Sequence, residues 1–294
     1  MPSAAINGTV IHYQVHGKGT PIVFIHPPLL TSANFRYQQV QLAGEFSVIT
    51  FDIRGHGKSN ASKAPLTYAL IVEDIKQLLD HLGIRKAYIC GYSTGGSIAL
   101  EALLTHPERF DGGILVSAMS EVSDIVLKSR IRIAAGLSGM KTMTKVLMRG
   151  ITWGNADSGL TYRNLLQDAK RGNAANIHQF YKYSLRYNCT GRLSELRAPV
   201  LLVYGEKDGG FKRYREKLEK ELPECEVHVL DGEKHQIPTK AAAEMNEIIR
   251  RWIRARKRLA TPDRATAQAT GEPEYAAQVP APGTASRAEE QAEL

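Results

Sequence analysis

Residues 88–104 read YICGYSTGGSIALEALL, and this stretch decides the fold. An apolar run typical of a strand comes first, and the apolar spacing of a helix follows it. Ser93 lies between the two, with Gly91 two positions before it and Gly95 two positions after it. A sharp turn from a strand to a helix exposes a serine hydroxyl, and flanking glycines remove side chains that would clash there. Ser93 is therefore either a nucleophile or a small polar residue at an ordinary turn.

Strand-like and helix-like segments alternate on both sides of this stretch. The strand patterns cover residues 9–17, 21–26, 46–52, 87–90, 112–119, 199–205 and 226–230. The helix patterns cover residues 33–43, 66–82, 93–105, 211–222 and a last segment that ends near residue 258. Continuous apolar strands that alternate with helices predict an α/β fold with a mostly parallel central sheet covered on both faces. The early pair 9–17 and 21–26 resembles a hairpin and is expected to form an antiparallel edge.

One interval breaks the alternation, because residues 120–196 contain only helix-like segments. Helices inserted between two strands of such a sheet lie beside the crevice where open α/β sheets bind ligands, and we interpret them as a cap. Residues from about 260 onward are rich in Ala, Pro, Thr, Gln and Glu, which favours disorder. The predicted organisation is a core in two parts, residues 1–119 and 197–258. A helical cap at residues 120–196 lies between them in the chain, and a disordered acidic tail follows at residues 259–294.

Composition indicates a globular chain with an excess of basic residues. The 294 residues are 43% hydrophobic and 23% charged, with a net charge of +8. The run RRWIRARKR at residues 250–258 contributes much of this charge. We interpret it as the solvated end of a helix, where cations oppose the helix dipole. Since no nucleic-acid-binding motif accompanies the run, we expect no nucleic-acid partner.

Two further classes of protein are not indicated. Cys90, Cys189 and Cys225 lie far apart in sequence, which suggests neither a metal site nor a disulfide framework. No segment approaches the roughly 20 apolar residues that span a bilayer, and the first residues lack the pattern of a signal peptide. We therefore expect no stable membrane insertion and a cytoplasmic location.

The glycine-flanked serine between a strand and a helix resembles the nucleophile turn of the α/β-hydrolase fold family. The resemblance covers about residues 6–256 and implies the chain order serine, acid, histidine. Asp208 in LLVYGEKDGG and His235 in LDGEKHQIP each follow a strand and match the family's acid and histidine positions. The resemblance thus implies a triad of Ser93, Asp208 and His235, with no metal and no cofactor.

Three other residues compete for roles in such a site. Asp124 follows the strand at 112–119 and is the second choice for the acid. His26 resembles a loop histidine of the family, which supports the loop and is not usually the base. The stretch DIRGHGKSN at residues 52–60 contains GKS, but a phosphate-binding loop needs glycine at the position that Asp52 occupies.

The oxyanion hole departs from the family pattern. Two backbone N–H groups should meet the negative charge that develops on the substrate oxygen, and Thr94 is expected to supply the first. The second comes from the loop FIHPPLLTSANF, but Pro27 and Pro28 have no N–H. Either Leu29 supplies this donor, as we expect, or the hole is one donor short.

The resemblance implies a serine hydrolase that cleaves a small to medium hydrophobic carboxylic ester or lactone through an acyl-enzyme. Aromatic and methionine residues of residues 120–196 are candidates for an apolar pocket: Trp153, Tyr162, Tyr181, Tyr183, Tyr187, Met140, Met143 and Met148. The alternative is a ligand sensor or regulator with slow or single-turnover hydrolysis. Lyase or cofactor-free oxygenase chemistry on the same fold, and the choice between monomer and homodimer, stay open.

Overall fold

The computed structural model describes residues 2–260 of the chain, and within them eight strands form one sheet. The strands are β1 (Ser3–Ile6), β2 (Thr9–His16), β3 (Thr20–Ile25), β4 (Phe46–Phe51), β5 (Ala87–Tyr92), β6 (Phe110–Val116), β7 (Val200–Gly205) and β8 (Cys225–Leu230). Their order across the sheet is β1-β2-β4-β3-β5-β6-β7-β8. Strand β2 is antiparallel to both β1 and β4, and the pairs from β4 to β8 are parallel. The predicted mostly parallel sheet is confirmed.

The predicted hairpin of residues 9–17 and 21–26 is wrong. Strand β3 does not pair with β2 but lies between β4 and β5, in parallel with both. Four of its six residues are fully buried, which suits a central strand covered on both faces. The antiparallel edge is instead β1 with β2. Strand β1 has only four residues, and its short alternation gives a weak sequence signal.

Ten α-helices connect and cover the strands of residues 2–260. They are α1 (Arg36–Gln41), α2 (Tyr68–His81), α3 (Thr94–Thr105), α4 (Ile125–Ser138), α5 (Lys141–Gly154), α6 (Gly159–Ala169), α7 (Ala174–Ser184), α8 (Gly209–Glu221), α9 (Ile237–Lys240) and α10 (Ala242–Ala260). Short 3-10 helices occupy Ser32–Phe35, Pro107–Arg109 and Thr190–Glu195. The helix predicted at residues 33–43 is therefore a 3-10 turn followed by the short helix α1.

The two faces of the sheet carry separate apolar cores. Ile89 of β5 packs into a cluster with residues of α2, α3 and α8, such as Ile75 and Leu218. Cys90, the next residue, packs into the opposite cluster, which includes Met245 and Ile249 of α10. Successive side chains of a strand point to opposite faces, so β5 joins both cores. Cys90 is fully buried in this second core.

Helices α4 to α7 lie in the chain between β6 and β7, in the interval that the sequence pattern marks as strand-free. They contribute most of a third apolar cluster, which includes Ile131, Met148 and Tyr181. Leu29, from the loop after β3, packs into the same cluster. These helices are the candidate cap, and the boundaries 120–196 stay a prediction.

Contacts divide the chain into two units, Met1–Arg254 and Ala255–Leu294. Of the second unit, the structure describes residues 255–260, which continue α10. The predicted acidic tail lies outside the described residues from residue 261 onward. Among residues 2–260, no helix has the length and apolar character needed to cross a membrane.

Candidate active site

Ser93 occupies a strained turn between β5 and α3. Its φ angle is +55°, in the left-handed region that a residue with a side chain adopts only when the surroundings enforce it. The Ser93 N–H donates a 2.8 Å hydrogen bond to the Val116 carbonyl of the neighbouring strand. A Cβ atom on Gly91 would lie 2.3 Å from the Gly95 carbonyl oxygen, and one on Gly95 would lie 2.3 Å from that of Ile25. Both glycines are thus required by close backbone contacts, as the sequence spacing predicts.

The structure brings the three predicted triad residues into one hydrogen-bonded chain. The Nδ1 atom of His235 lies 2.7 Å from Oδ2 of Asp208, and its Nε2 atom lies 3.1 Å from Oγ of Ser93. Since the Asp208 carboxylate accepts a hydrogen bond from Nδ1–H, the Nε2 atom of the neutral imidazole is free to accept a hydrogen bond from the Ser93 hydroxyl. This is the arrangement that activates a serine hydroxyl.

Parallel strands explain why residues so distant in sequence meet. Ser93 follows β5, Asp208 follows β7, and His235 follows β8. The carboxyl ends of parallel strands lie at the same edge of a sheet, so the three loops converge there. The 142 positions between Ser93 and His235 are bridged by this topology.

Aromatic rings hold the His235 imidazole in place. The ring of Phe211 lies 4.2 Å from it and the ring of Tyr92 lies 5.3 Å from it, centroid to centroid. The Tyr92 hydroxyl donates a 2.9 Å hydrogen bond to Oδ1 of Asn155, at the end of α5. The side chains of Asp208 and His235 are 9% and 21% exposed, so water reaches the histidine more than its carboxylate partner. Sequence reasoning missed Tyr92, Phe211 and Asn155, although Tyr92 directly precedes Ser93 in the motif.

The loop that should complete the oxyanion hole forms a tight turn. The Leu30 N–H donates a 3.3 Å hydrogen bond to the Pro27 carbonyl. Leu29, at the third position of this turn, has a φ of +63°, as a type II turn requires. Within residues 2–260, the Leu29 N–H donates to no protein acceptor. The role of Leu29 and Thr94 as oxyanion donors stays a prediction, with the Leu29 amide unused by the fold.

His26 supports this loop from below. The Ile53 N–H donates a 3.0 Å hydrogen bond to its Nε2 atom, and its Nδ1–H donates a 2.9 Å bond to the Pro27 carbonyl. These two bonds require the neutral ring, and complete burial lowers the pKa of His26. His56, whose ring lies 5.4 Å away, has its pKa lowered to about 3, first by burial and then by His26. Neither of these two histidines bonds to Ser93.

Residues 52–60 form a loop that is fixed by side-chain contacts. Asp52 accepts hydrogen bonds from the backbone N–H groups of Ser32 and Lys58, at 2.9 Å and 2.8 Å. Arg54 forms a buried ion pair with Asp74 of α2. Both contacts tie this loop to its neighbours.

Asp124, the second choice for the acid, is used elsewhere. Its Oδ1 atom accepts the N–H groups of Val126 and Leu127 at 2.9 Å each, so it caps the first turn of α4. Its Oδ2 atom pairs with Arg213 at 2.8 Å. Asp208, and not Asp124, bonds to His235.

A cavity of about 480 Å³ opens in front of Ser93. Residues of the core and of α4, α5 and α7 line it together, and its apolar walls include Leu30, Met119, Leu127, Ile131 and Ile151. Of the aromatic and methionine residues expected to line a pocket, Tyr181 does so. Trp153 is instead 68% exposed, and Met148 is buried in the third apolar cluster.

Comparison with known proteins agrees with this geometry. The family described as alpha/beta hydrolase fold matches residues 20–239, about three quarters of the chain, and the match includes Ser93 and Asp208 as well as His235. The chain belongs to the α/β-hydrolase fold family.

Three relatives illustrate the breadth of that family. The proposed carbamate hydrolase RutD of Azorhizobium caulinodans is 23% identical over 258 residues, which cover 85% of this chain and 97% of that protein. The enol-lactonase from Burkholderia xenovorans LB400 is 19% identical with a TM-score of 0.75, covering 86% of this chain and 99% of that one. A thermophilic esterase from Thermogutta terrifontis is 20% identical with a TM-score of 0.77, covering 87% and 99%. At 19% and 20% identity, the two solved structures show only that this chain has the same fold as they do.

Proposed function

We propose that this protein is a serine hydrolase that cleaves a small to medium hydrophobic carboxylic ester or lactone through an acyl-enzyme. The observation that carries the proposal is the continuous hydrogen-bonded chain from Ser93 through His235 to Asp208 at the wall of the 480 Å³ cavity. Two structural neighbours are named an esterase and an enol-lactonase, and these names denote hydrolysis of the same class of bond.

The geometry supports a two-step acyl transfer. Ser93 Oγ attacks the substrate carbonyl carbon while its proton moves to His235 Nε2, and Asp208 stabilises the imidazolium that forms. The proton then passes to the leaving alkoxide, which departs and leaves an ester on Ser93. Water then attacks the acyl carbon and gives a proton to the same nitrogen. The bond between the acyl carbon and Ser93 Oγ breaks, the acid is released, and Oγ takes the proton back from His235.

The negative oxygen formed at each step needs hydrogen-bond donors that are already in position. The Thr94 N–H, at the start of α3, belongs to the helix turn that leaves backbone donors without helical partners. The Leu29 N–H is the candidate for the second donor. Because Gly95 has no side chain, the start of α3 can approach the Ile25 carbonyl at the end of β3 closely.

The cavity bounds the substrate. A volume of about 480 Å³ lies in the range of small-molecule sites and suits a ligand of modest size. Aliphatic walls from Leu30, Ile131 and Ile151 favour a hydrophobic acyl or alcohol group.

The test is time-resolved hydrolysis of p-nitrophenyl acetate, butyrate and octanoate by the wild type and by Ser93→Ala. We expect sustained turnover by the wild type and a loss of about 10⁴-fold or more in kcat in Ser93→Ala, because the nucleophile is removed. Ser129→Ala, an exposed serine on α4, is the matched control and should retain full activity. Equal rates for the wild type and Ser93→Ala would refute the proposal.

The two prolines of the oxyanion loop favour a second candidate, a sensor or regulator that hydrolyses slowly. Pro27 and Pro28 offer no N–H, and a hole with one donor typically turns over about 10²–10³-fold more slowly. The same assay separates the two functions. A burst of about one product per protein followed by a stall indicates the sensor, whereas linear turnover indicates the enzyme.

A further inference from the structure

Three basic side chains surround the opening of the active-site cavity. Arg130 comes from α4, Lys207 directly precedes Asp208, and Lys234 directly precedes His235. All three residues line the cavity and all three are exposed. Three separate segments thus place positive charge at one opening.

Within residues 2–260, none of the three cations forms an ion pair. Asp208 is the acidic residue that lines the cavity, and its single negative charge, hydrogen-bonded to His235, is outnumbered by the three cations. The acidic neighbours in sequence, Glu206 and Glu233, do not line the cavity.

The opening leaves room for a ligand to reach these charges. A groove of about 530 Å³ adjoins the cavity and shares Arg130 and Phe211 with it. Gly209 and Gly210 lie at the boundary of both, and a Cβ atom on either would meet nothing within 4 Å. The acid that lines the groove, Asp124, is paired with Arg213, so Arg130 keeps its charge available.

We propose that the substrate of this site carries an anionic group, such as a carboxylate, which Arg130, Lys207 and Lys234 hold at the opening while its apolar part fills the cavity. This proposal rests on the proposed hydrolase function and names its substrate class. A cleft lined by one sign of charge raises the local concentration of an oppositely charged ligand and speeds its association. The same charges give nothing to a neutral ester of equal size.

The first experiment compares two pairs of esters matched in size. Mono-p-nitrophenyl adipate and p-nitrophenyl hexanoate place or omit a carboxylate on the acyl side, and 3-butanoyloxy-4-nitrobenzoate and 2-nitrophenyl butyrate do so on the leaving-group side. With spontaneous hydrolysis subtracted, we expect kcat/KM to be about 10-fold higher for the anionic member of at least one pair at low salt. The ratio of kcat/KM for the anionic and the neutral ester should fall towards one in 1 M NaCl, where the Debye length is only about 3 Å.

The second experiment removes the charges one at a time and together, as Arg130→Gln, Lys207→Gln, Lys234→Gln and the triple variant. The readout is the ratio of kcat/KM for the anionic and the neutral ester within each variant, so a general loss of activity cancels. Each single substitution should lower this ratio about 2- to 5-fold, and the triple variant should lower it about 10-fold or more. Lys18→Gln is the matched control. Lys18 is an exposed lysine in the turn before β3, at the amino ends of the parallel strands, whereas the active site lies at their carboxyl ends.

The outcomes separate this proposal from the hydrolase function. Turnover that depends on Ser93 without preference for either anionic ester overturns the anionic substrate and leaves the hydrolase intact. A ratio that falls equally in Lys18→Gln reduces the effect to net charge and also overturns it. If no ester is turned over, calorimetric binding of adipate monoamide and of hexanamide to Ser93→Ala decides. Tighter binding of the anion, lost in the triple background, supports the proposal, and equal binding overturns it.

Discussion

At the scale of single residues, the backbone conformation of two positions prepares the site. Ser93 and Leu29 both have positive φ angles although neither is glycine. Such positions cost about 1–3 kcal/mol each and persist only when surrounding contacts enforce them. The Val116 carbonyl holds the Ser93 amide, and the third apolar cluster buries the Leu29 side chain. Two of the four non-glycine residues with positive φ in the described part of the chain are thus the proposed nucleophile and a proposed oxyanion donor.

Pro28→Ala tests whether Leu29 completes the oxyanion hole. The change restores an N–H at position 28 and keeps the turn compatible with its backbone. If the Leu29 amide already serves, kcat for p-nitrophenyl butyrate should stay within about threefold of the wild type, because one lost or gained donor is worth about 10²–10³. Steady-state kinetics measures this, with Pro107→Ala, an exposed proline of a 3-10 helix, as the control. A rise of 10-fold or more in kcat would show that the natural hole lacks a donor.

At the scale of secondary-structure elements, the contact between α3 and the end of β3 positions both halves of the proposed oxyanion hole. Gly95 allows this contact, since the space for a Cβ atom is taken by the Ile25 carbonyl oxygen at 2.3 Å and the His26 carbonyl oxygen at 3.3 Å. Backbone atoms of a central strand have little freedom to move. The glycine after Ser93 therefore serves the packing of two elements as well as the turn.

Gly95→Ala should lower the free energy of unfolding by about 1–3 kcal/mol, because an overpacked contact forces the two backbones apart. It should also lower kcat, since Thr94 and the loop after β3 would separate. Urea denaturation and ester hydrolysis measure the two effects. Gly150→Ala, at an open position of α5, is the matched control and should stabilise the protein by about 0.5–1 kcal/mol. Equal stability of the two variants would contradict the assigned role of Gly95.

At the scale of the whole molecule, three buried histidines link stability to pH. His12, His26 and His56 are each at most 2% exposed, and burial is the first cause that lowers the pKa of each. Below pH 6.5, the usual pKa of a histidine in an unfolded chain, these three side chains bind protons in the unfolded state that they do not bind in the folded protein. Their contribution to stability is therefore complete above about pH 6.5 and is lost progressively as the pH falls below it.

We expect the free energy of unfolding to fall as the pH is lowered from 6.5 to 5, by up to about 1.4 kcal/mol per pH unit for each such histidine. His56→Gln should reduce this slope, because the pKa of His56 is lowered to about 3 and the group stays neutral in the folded protein throughout this range. Urea denaturation at several pH values measures the slope. His16→Gln, at an exposed position on β2, should leave it unchanged. An unchanged slope in His56→Gln would contradict the assignment.

The sequence by itself determined the mostly parallel sheet and the position of the Ser93 turn, and the resemblance to a known family indicated the acid and the histidine. The sheet and the turn can be predicted locally, because the periodicity of apolar residues and the spacing of glycines depend on residues close together in the sequence. Hydrogen bonds join Ser93, His235 and Asp208 in the structure, and the catalytic role of these residues stays a prediction.

Only the tertiary structure decided which residues surround that group. The place of β3 in the sheet, the rings of Tyr92 and Phe211 on His235, and the three cations at the opening carry no local pattern. The Tyr92 bond to Asn155 joins residues 63 positions apart. Local periodicity reports that a side chain is buried or exposed, but the identity of its neighbours depends on how elements distant in sequence pack together.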